Sequence, residues 1–318
     1  MGPTQETSVD TGSTPSDAGP FAHPPTGTAA VVTRVAAYVE LTKPGIAVYV
    51  MVAAGVSYFV GAAGSPEVEL LLHVVLGTGA ATAGSLALNQ VIERRLDALM
   101  ERTMGRPLPS GRVETLPAFV FGTGLLLLGM GYLWWAAGWL PASLALFSAL
   151  VYTLGYTPLK VRSYLATLVG AIPGAMPVLI GWAAATDGLS LEGLSLFAVV
   201  FLWQLPHVLA IGWLLRRDYA RAGFLLVPPS DPGGHMIGWH MVLYATALVP
   251  VSLFPSLLGV TGEIYWLGAL ILSLAYLAPC IAATRGDLTA RKARWVFFTS
   301  LAYLPLLFLL MLLDTPAG

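Results

Sequence analysis

Nine long apolar segments constrain the fold of this chain more than any other feature of its sequence. Each approaches the roughly 20 residues that a helix needs to cross the hydrocarbon core of a bilayer. Hydrophobic residues make up 56% of the chain and the mean hydropathy is +0.75, which is outside the range of soluble globular proteins. We therefore predict an all-α polytopic membrane protein with nine spans, near residues 44–63, 69–91, 115–136, 140–157, 165–185, 193–214, 240–260, 264–283 and 295–313.

The positive charges test this number of spans. If the N-terminus is cytoplasmic, all 16 Lys and Arg residues fall in the N-terminal segment or in the loops after the second, fourth, sixth and eighth spans. The connections on the opposite side carry only acidic charge, such as Glu67, Asp187 and Glu263. Cytoplasmic loops are enriched in Lys and Arg, and a wrong number of spans would scramble this alternation. We expect a cytoplasmic N-terminus, a C-terminus outside, and the chemistry at the cytoplasmic face, which carries the long charged loops.

The N-terminal segment differs in composition from the rest of the chain. Residues 1–34 are rich in Thr, Ser, Pro and Gly, and we predict a disordered tail there, followed by a nine-helix domain over residues 35–318. The net charge of −1 gives no bulk attraction to nucleic acid, so no nucleic-acid partner is expected. The single cysteine, Cys280, lies within an apolar run and is predicted to pack there.

The loop after the second predicted span is the most densely charged segment. Asn89, Glu93 and Asp97 follow one another at steps of four, so on a helix they stay within about 80° of one another. Arg102 and Arg106 follow closely. Oxygen ligands next to guanidinium groups suit a divalent cation that holds a phosphate. The alternative is a cytoplasmic anchor in which acids and arginines form salt bridges.

Two further cytoplasmic loops carry candidate ligands. Asp218 follows two arginines after the sixth span, on the same predicted side as Asp97, which makes a shared metal site a hypothesis. The alternative for Asp218 is a surface ion pair with Arg221. Lys160 and Arg162, after the fourth span, are charged donors suited to phosphate. Simple topological anchoring explains those two residues equally well.

The sixth span contains a histidine deep in the predicted apolar layer. His207 lies nine residues before Arg216, about 13 Å along a helix, and Trp203 and Gln204 precede it. A polar group at this depth needs a partner or a ligand. A hydrogen bond to a neighbouring helix is one interpretation, and ligation of heme iron by a neutral imidazole is the other. Pro206 is expected to kink the helix and free nearby carbonyls.

These motifs together resemble those of the protoheme IX farnesyltransferases (heme O synthases), a family of the UbiA superfamily of intramembrane prenyltransferases. The resemblance covers roughly residues 38–314. The pieces that carry it are L-T-K-P at 41–44, N-x3-E-x3-D-x2-M-x-R-T-x2-R-P-L at 89–108, Y-T-P-L-K at 156–160, W-Q-L-P-H at 203–207 and D-Y-x2-A-G at 218–223.

The resemblance implies a fold, a reaction and a set of site residues. The fold would be a ring of nine transmembrane helices around a central cavity, in the bacterial plasma (inner) membrane, with its active site on the cytoplasmic side. The reaction would be the Mg²⁺-dependent transfer of a farnesyl group from farnesyl diphosphate to a vinyl group of heme B, with a downstream heme A synthase as a further partner. The residues implied are Asn89, Glu93, Asp97 and Asp218 for catalysis and Mg²⁺; Arg102, Arg106, Lys160 and Arg162 for the diphosphate; and Trp203, Gln204 and His207 for the heme.

The sequence departs from the family pattern in three places. Glu93 stands where the family usually has Asp, and residue 222 is Ala, so no second acid lies four residues after Asp218. After Gly223 the chain reads F-L-L-V-P instead of the usual Pro-Met-Leu-Pro run. Two other functions stay open at this point. One is prenyl transfer to an aromatic quinone precursor, and the other is a transporter or heme-binding assembly protein without catalysis.

Overall fold

A computed structural model describes residue 2, residues 28–228 and residues 230–316. The regular structure of these residues is helical, in the order α1 Thr28–Leu41, α2 Pro44–Gly61, α3 Val68–Asp97, α4 Thr115–Ala137, α5 Trp139–Leu150, a π-helix Val151–Tyr156, α6 Thr157–Leu159, α7 Ala166–Thr186, α8 Leu191–Leu214, α9 Arg216–Arg221, α10 His235–Val251, α11 Phe254–Leu257, α12 Glu263–Ala283 and α13 Ala290–Asp314. Helix α1 begins inside the predicted tail. Residues 3–27 of that tail lie outside the described residues, so its disorder stays a prediction.

The predicted set of spans is confirmed. Within the described parts of the chain, nine helical segments are long and apolar enough to cross a membrane. One of them is Trp139–Leu159, which combines α5, the π-helix and α6, and another is His235–Leu257, which combines α10 and α11. Helix α3 continues to Asp97, past the end predicted at residue 91. It continues because residues 92–97 contain no Gly or Pro and their polar face is buried against protein, so an apolar run is not required there.

Glycines bring two pairs of helices into close contact. A Cβ atom on Gly84 of α3 would lie 2.4 Å from the backbone nitrogen of Leu126 on α4. A Cβ atom on Gly181 of α7 would lie 2.0 Å from the carbonyl oxygen of Ala54 on α2. Small residues allow helix backbones to approach in this way inside a membrane. These contacts fix α3 and α7, two of the helices that form the cavity wall.

The helices surround the central cavity that the resemblance implied. The largest buried cluster joins α2, α7, α8, α10, α12 and α13. Large apolar side chains on the outer surface, such as Leu128, Trp135 and Leu313, are more than two thirds exposed, as expected of a surface that faces lipid. The cavity has a volume of about 510 Å³, and its wall comes from α2, α3, α5, the π-helix, α7, α8 and α13.

Candidate active site

The last turns of α3 bury three polar side chains side by side. Asn89, Glu93 and Asp97 are 0%, 4% and 1% exposed, although two of them are acids. The hydroxyl of Thr103 donates to the Asp97 carbonyl oxygen at 2.8 Å and closes the chain reversal after the helix. Glu101, the next residue at a step of four, lies in a turn beyond the helix end and is exposed. The predicted common face therefore holds for three residues of the series and ends at Asp97.

Both buried carboxylates are paired with residues that were predicted to bind the diphosphate. The Lys160 Nζ lies 2.6 Å from Glu93 Oε1. The Arg106 Nη1 donates to both oxygens of Asp97, at 2.9 and 2.8 Å. The structure thus brings the predicted metal ligands and the predicted phosphate ligands into direct contact. The salt bridges of the alternative interpretation are therefore present. They are buried in the protein interior, however, and so do not form an anchor at the membrane surface.

Lys43 also belongs to this site, although it was predicted only as a cytoplasmic charge and as part of the L-T-K-P motif. Its Nζ donates to Asn89 Oδ1 at 3.3 Å. Its backbone is left-handed, with φ 47°, directly before Pro44; both features are unfavourable for lysine and persist only where surrounding structure enforces them. Burial, and then the charges of Arg106 and Lys160, lower the pKa of Lys43 to about 7. A cation at the start of a helix, where the dipole disfavours it, was the signal available in the sequence.

We call these residues the ionic cluster: Lys43, Asn89, Glu93, Asp97, Arg106 and Lys160. The two lysines in it respond oppositely to their surroundings. Burial works against the charge of Lys160, but Tyr156 and the Glu93 carboxylate outweigh it and raise the pKa of Lys160 above its ordinary value. Lys160 therefore stays charged, whereas Lys43 is close to its titration point at neutral pH.

The π-helix connects the ionic cluster to the cavity. The Tyr152 hydroxyl donates to Asn89 Oδ1 at 3.3 Å, and Asn89 Nδ2 donates to Thr157 Oγ1 at 2.9 Å. The Tyr156 ring lies under the Lys160 ammonium, 4.3 Å from Nζ to the ring centre. Tyr152 and Tyr156 both line the cavity. Single-turn π-helices occur frequently at functional sites, and nothing in the residue pattern indicated this one.

The loop after α8 meets the same region from another side. The Leu225 backbone nitrogen donates to the Lys160 carbonyl oxygen at 2.6 Å. The F-L-L-V-P segment, which departs from the family pattern, therefore packs against the Y-T-P-L-K segment. Asp218 accepts from Arg221 at 3.3 Å, and the same guanidinium lies 2.6 Å from Glu101. The predicted alternative of an Asp218–Arg221 ion pair is therefore present. The remaining two predicted phosphate ligands, Arg102 and Arg162, are exposed on their loops.

His207 lies on the cavity wall, held by three residues. Its Nδ1 lies 2.6 Å from the Ser300 Oγ, and its ring stacks on Trp203 and Phe297 at centroid distances of 5.4 and 5.1 Å. The Ser300 hydroxyl donates its one hydrogen to the Phe297 carbonyl oxygen at 2.5 Å, so it accepts from Nδ1–H of His207. The lone pair of His207 then lies on Nε2. The predicted hydrogen bond to a neighbouring helix is present, and it leaves one ring nitrogen outside that bond.

The two other residues predicted for the heme also line the cavity. The Gln204 amide donates to the Ala171 carbonyl oxygen at 2.9 Å, and a Cβ atom on Gly174 would lie 2.1 Å from Gln204 Oε1. The Trp203 indole donates to the Ser300 carbonyl oxygen at 2.8 Å. We call Trp203, His207, Phe297 and Ser300 the aromatic end of the cavity. Phe297 and Ser300 are more than 90 residues from Trp203 in sequence, and no local pattern linked them to it.

The oxygen donors of α3 fit Mg²⁺ in chemistry but do not form a protein-only cage. In the described parts of the chain, no group of three or more His, Cys, Asp and Glu side chains is placed to hold a metal ion. Mg²⁺ in proteins is commonly bound through one or two carboxylates together with the phosphates of a substrate. Glu93 and Asp97, next to cations that suit phosphate, fit that second mode of binding.

A family model for the UbiA prenyltransferase family matches residues 48–312. The chain therefore belongs to the UbiA prenyltransferase family. Within it, the chain groups with the protoheme IX farnesyltransferases. A protein of that name from Solibacter usitatus is 44% identical over 288 residues, which cover 88% of this chain and 98% of the relative. Another from Koribacter versatilis is 39% identical over 305 residues, which cover 93% and 97% of the two chains.

Solved structures support the fold at low sequence identity. The structure of a digeranylgeranylglyceryl phosphate synthase matches with a TM-score of 0.75 and 16% identity over 89% of this chain and 98% of the other. A UbiA homologue from Archaeoglobus fulgidus bound to GPP and Mg²⁺ matches with a TM-score of 0.61 and 15% identity over 86% and 99% of the two chains. Family membership removes the transporter interpretation, because the chain belongs to a family of prenyltransferases.

Proposed function

We propose that this prenyltransferase moves the farnesyl group of farnesyl diphosphate onto a vinyl group of protoheme IX (heme B) and so forms heme O. One observation carries the proposal: a buried ionic cluster is connected, through Tyr152 and Tyr156, to an apolar cavity whose wall includes His207. A diphosphate suits the first feature, an isoprenoid chain the second, and an iron porphyrin the third. The names of the relatives support the same donor and acceptor.

The diphosphate would bind the cations of the site. Arg106 and Lys160 are the central pair, with Arg102 and Arg162 on the adjoining loops. Each phosphate oxygen that they bind weakens their hold on Asp97 and Glu93, because a guanidinium or ammonium has a limited number of donors. Substrate binding would thus release the two carboxylates at the place where the diphosphate sits.

Mg²⁺ would then be held by the released carboxylates together with Asn89, and by Asp218 of the short helix α9. The metal would supply charge neutralisation that makes the diphosphate a better leaving group. The A. fulgidus homologue, which has this fold and is bound to GPP and Mg²⁺, supports a metal ion together with a prenyl diphosphate. Arg106 and Lys160 would stabilise the negative charge that develops on the departing oxygen. Lys43, which contacts Asn89, would hold that amide oxygen in place.

The apolar cavity would hold the isoprenoid chain and limit access of bulk water to the allylic cation. The Tyr49 and Trp203 rings both line it and lie 5.9 Å apart between centroids. Their faces would stabilise a cation that forms between them and the ionic cluster. On the α8 wall of the cavity, His207 would present Nε2 to the heme iron, with Trp203 and Gln204 against the porphyrin.

The reaction would take place at the cytoplasmic side of a bacterial plasma (inner) membrane. The confinement of all Lys and Arg residues to alternate loops supports this orientation, and the ionic cluster is made of residues from those loops and the adjoining helix ends. Heme O would leave through the bilayer, with a downstream heme A synthase as the proposed next acceptor.

A product assay tests the function. The purified protein is incubated with heme B and farnesyl diphosphate, with and without Mg²⁺, and the products are identified by mass. We expect farnesyl hydroxyethyl heme only when Mg²⁺ is present. An aromatic quinone precursor serves as the competing acceptor. Prenylation of that precursor without any heme product would overturn the assignment of the acceptor, and absence of both products would overturn the donor site.

A further inference from the structure

The proposed reaction consumes one water molecule inside a cavity that is otherwise largely apolar. When the heme vinyl group attacks C1 of the farnesyl chain, the bond from C1 to the diphosphate oxygen breaks and a new C–C bond forms. The positive charge is then on the vinyl carbon next to the porphyrin. Addition of water there gives the alcohol, whereas loss of a proton from the neighbouring carbon gives an alkene. The ratio of the two products depends on where the protein holds water.

One face of α3 carries hydroxyl groups along the cavity wall. Thr78, Thr82 and Ser85 all line the cavity. Their spacings of four and three residues, with Asn89 four residues further, keep the series within about 60° around the helix. Ser85 lies one helical turn, about 6 Å along the axis, from Asn89. The hydroxyl series therefore ends at the ionic cluster, where the diphosphate would leave.

The hydroxyls of this face have hydrogen-bonding capacity left for a ligand. Thr78 is 1% exposed, and its Oγ1 has no hydrogen-bond partner among the residues that the structure describes. Ser85 donates to the Ala81 carbonyl oxygen at 3.0 Å, which leaves the lone pairs of its own oxygen to accept. On the facing wall, the Ser148 hydroxyl makes a long contact of 3.5 Å with the Pro173 carbonyl oxygen. A buried water needs two to four such polar partners.

We propose that the Thr78–Thr82–Ser85 face of α3 binds the water that captures the cation formed on the heme vinyl group. The water oxygen forms the new C–O bond, and its surplus proton passes to the released diphosphate. A buried hydroxyl without a partner is costly in an apolar surrounding, and a bound water satisfies it. This inference rests on the proposed function, since it assigns the water of that reaction.

The test measures the ratio of alkene to alcohol in the farnesylated heme, by mass, for Thr78→Val, Thr82→Val, Ser85→Ala and the triple variant. The two product classes differ by the mass of one water. We expect the ratio to rise at least about fivefold in the triple variant, and less in each single variant. Thr78→Ser, which keeps the hydroxyl, should restore the ratio of the wild type.

The matched control is Thr153→Val, a buried threonine that is outside the cavity wall and donates to the Ala149 carbonyl oxygen at 2.6 Å. Its product ratio should equal that of the wild type. Should the triple variant form no product, the single variants are judged by the same ratio. An unchanged ratio in the variants that do turn over would overturn the water site. A wild type that farnesylates no heme at all would instead overturn the proposed function.

Discussion

Two regions beside the cavity, the ionic cluster and the aromatic end, hold their polar groups in different ways. In the ionic cluster, both buried carboxylates are already bound by the cations that a diphosphate would need, Arg106 and Lys160. At the aromatic end, the His207 ring is clamped by stacking and by Ser300, and its Nε2 is left for a ligand. The first arrangement has to open when a substrate binds, whereas the second has its binding geometry beforehand. Variants should therefore affect the catalytic step at one end and affinity at the other.

The largest effect is expected from Asp97→Asn in the ionic cluster. The amide keeps the shape of the carboxylate and the Thr103 hydrogen bond to the backbone, but it removes the charge that Mg²⁺ would need. We expect kcat to fall about 10³-fold, and the loss of the buried ion pair with Arg106 should lower the melting temperature while the helix content is kept. Single-turnover kinetics measure the loss, and circular dichroism in detergent measures the fold.

The matched control for that variant is Glu101→Gln. Glu101 is the next acid at the same spacing, but its side chain is 74% exposed and is paired with Arg221. Its kcat should remain within about twofold of the wild type, as is usual for an exposed ion pair. If the Asp97→Asn protein turned over at the wild-type rate, Asp97 would not belong to the metal site. The contrast between the ionic cluster and the aromatic end would then no longer hold.

At the aromatic end, His207→Ala should weaken heme binding about 100-fold and leave the binding of farnesyl diphosphate unchanged. Optical titration of heme measures the first quantity, and calorimetry with a non-reactive diphosphate analogue measures the second. His240→Ala is the control, because His240 is outside the cavity wall and is bonded to the Met236 carbonyl oxygen. If both variants bound heme equally well, the acceptor would no longer be expected to contact His207.

A smaller effect at the same end is expected from Ser300→Ala. Without the Ser300 acceptor, the proton of His207 is free to move to Nε2, which removes the lone pair from the cavity in part of the molecules. We expect heme affinity to fall about tenfold and the Soret spectrum to show a mixture of two ligation states. Ser300→Thr keeps the hydroxyl and should restore a single spectrum. Two identical spectra for Ser300→Ala and the wild type would show that Ser300 acts on packing alone.

The smallest effect concerns the pH dependence of stability through Lys43. Its pKa is lowered to about 7 mainly by burial, so the folded protein binds this proton less tightly than the unfolded chain does. Above about pH 10.5 the lysine is neutral in both states and its protonation does not affect the free energy of unfolding. As the pH falls towards 7, the unfolded chain takes up the proton first, and the free energy of unfolding decreases. Without Mg²⁺ and diphosphate, the melting temperature of the wild type in detergent should rise with pH across that window, relative to Lys43→Met. If the melting temperatures of the two proteins changed with pH in parallel, the lowered pKa of Lys43 would be contradicted.

The spans were predictable from the sequence because the bilayer allows few backbone structures to cross it. Continuous apolar runs and charges confined to alternate loops both follow from the cost of polar groups in hydrocarbon. The α3 series was predictable for a similar reason, since steps of four place Asn89, Glu93 and Asp97 on one face. The bounds of the helices differ from those of the predicted apolar spans, as at Asp97, because buried polar residues there extend a helix beyond its apolar part.

The partners of the predicted residues were not accessible from the sequence. Ser300 lies 93 residues from His207, and the two meet only because α8 and α13 pack together. Lys160 and Glu93 are 67 residues apart. No periodicity within one helix encodes such a pairing. The contact of Lys43 with Asn89 was not predicted for another reason. Lys43 was noted in the L-T-K-P motif, but a lysine at the cytoplasmic edge already has a sufficient topological explanation.

The π-helix of Val151–Tyr156 makes the site depend on how one turn is wound as well as on residue type. A turn of this kind takes up one more residue than an α-turn, closing i to i+5. If the same residues rewound as an α-helix, the downstream residues would rotate by about 100°, the angle of one residue. Lys160 would then face away from Glu93, although no residue of the ionic cluster had been exchanged. A substitution that favours α-helical winding of this turn can therefore alter the active site from outside it, whereas removing one residue would leave the downstream residues in their present orientation.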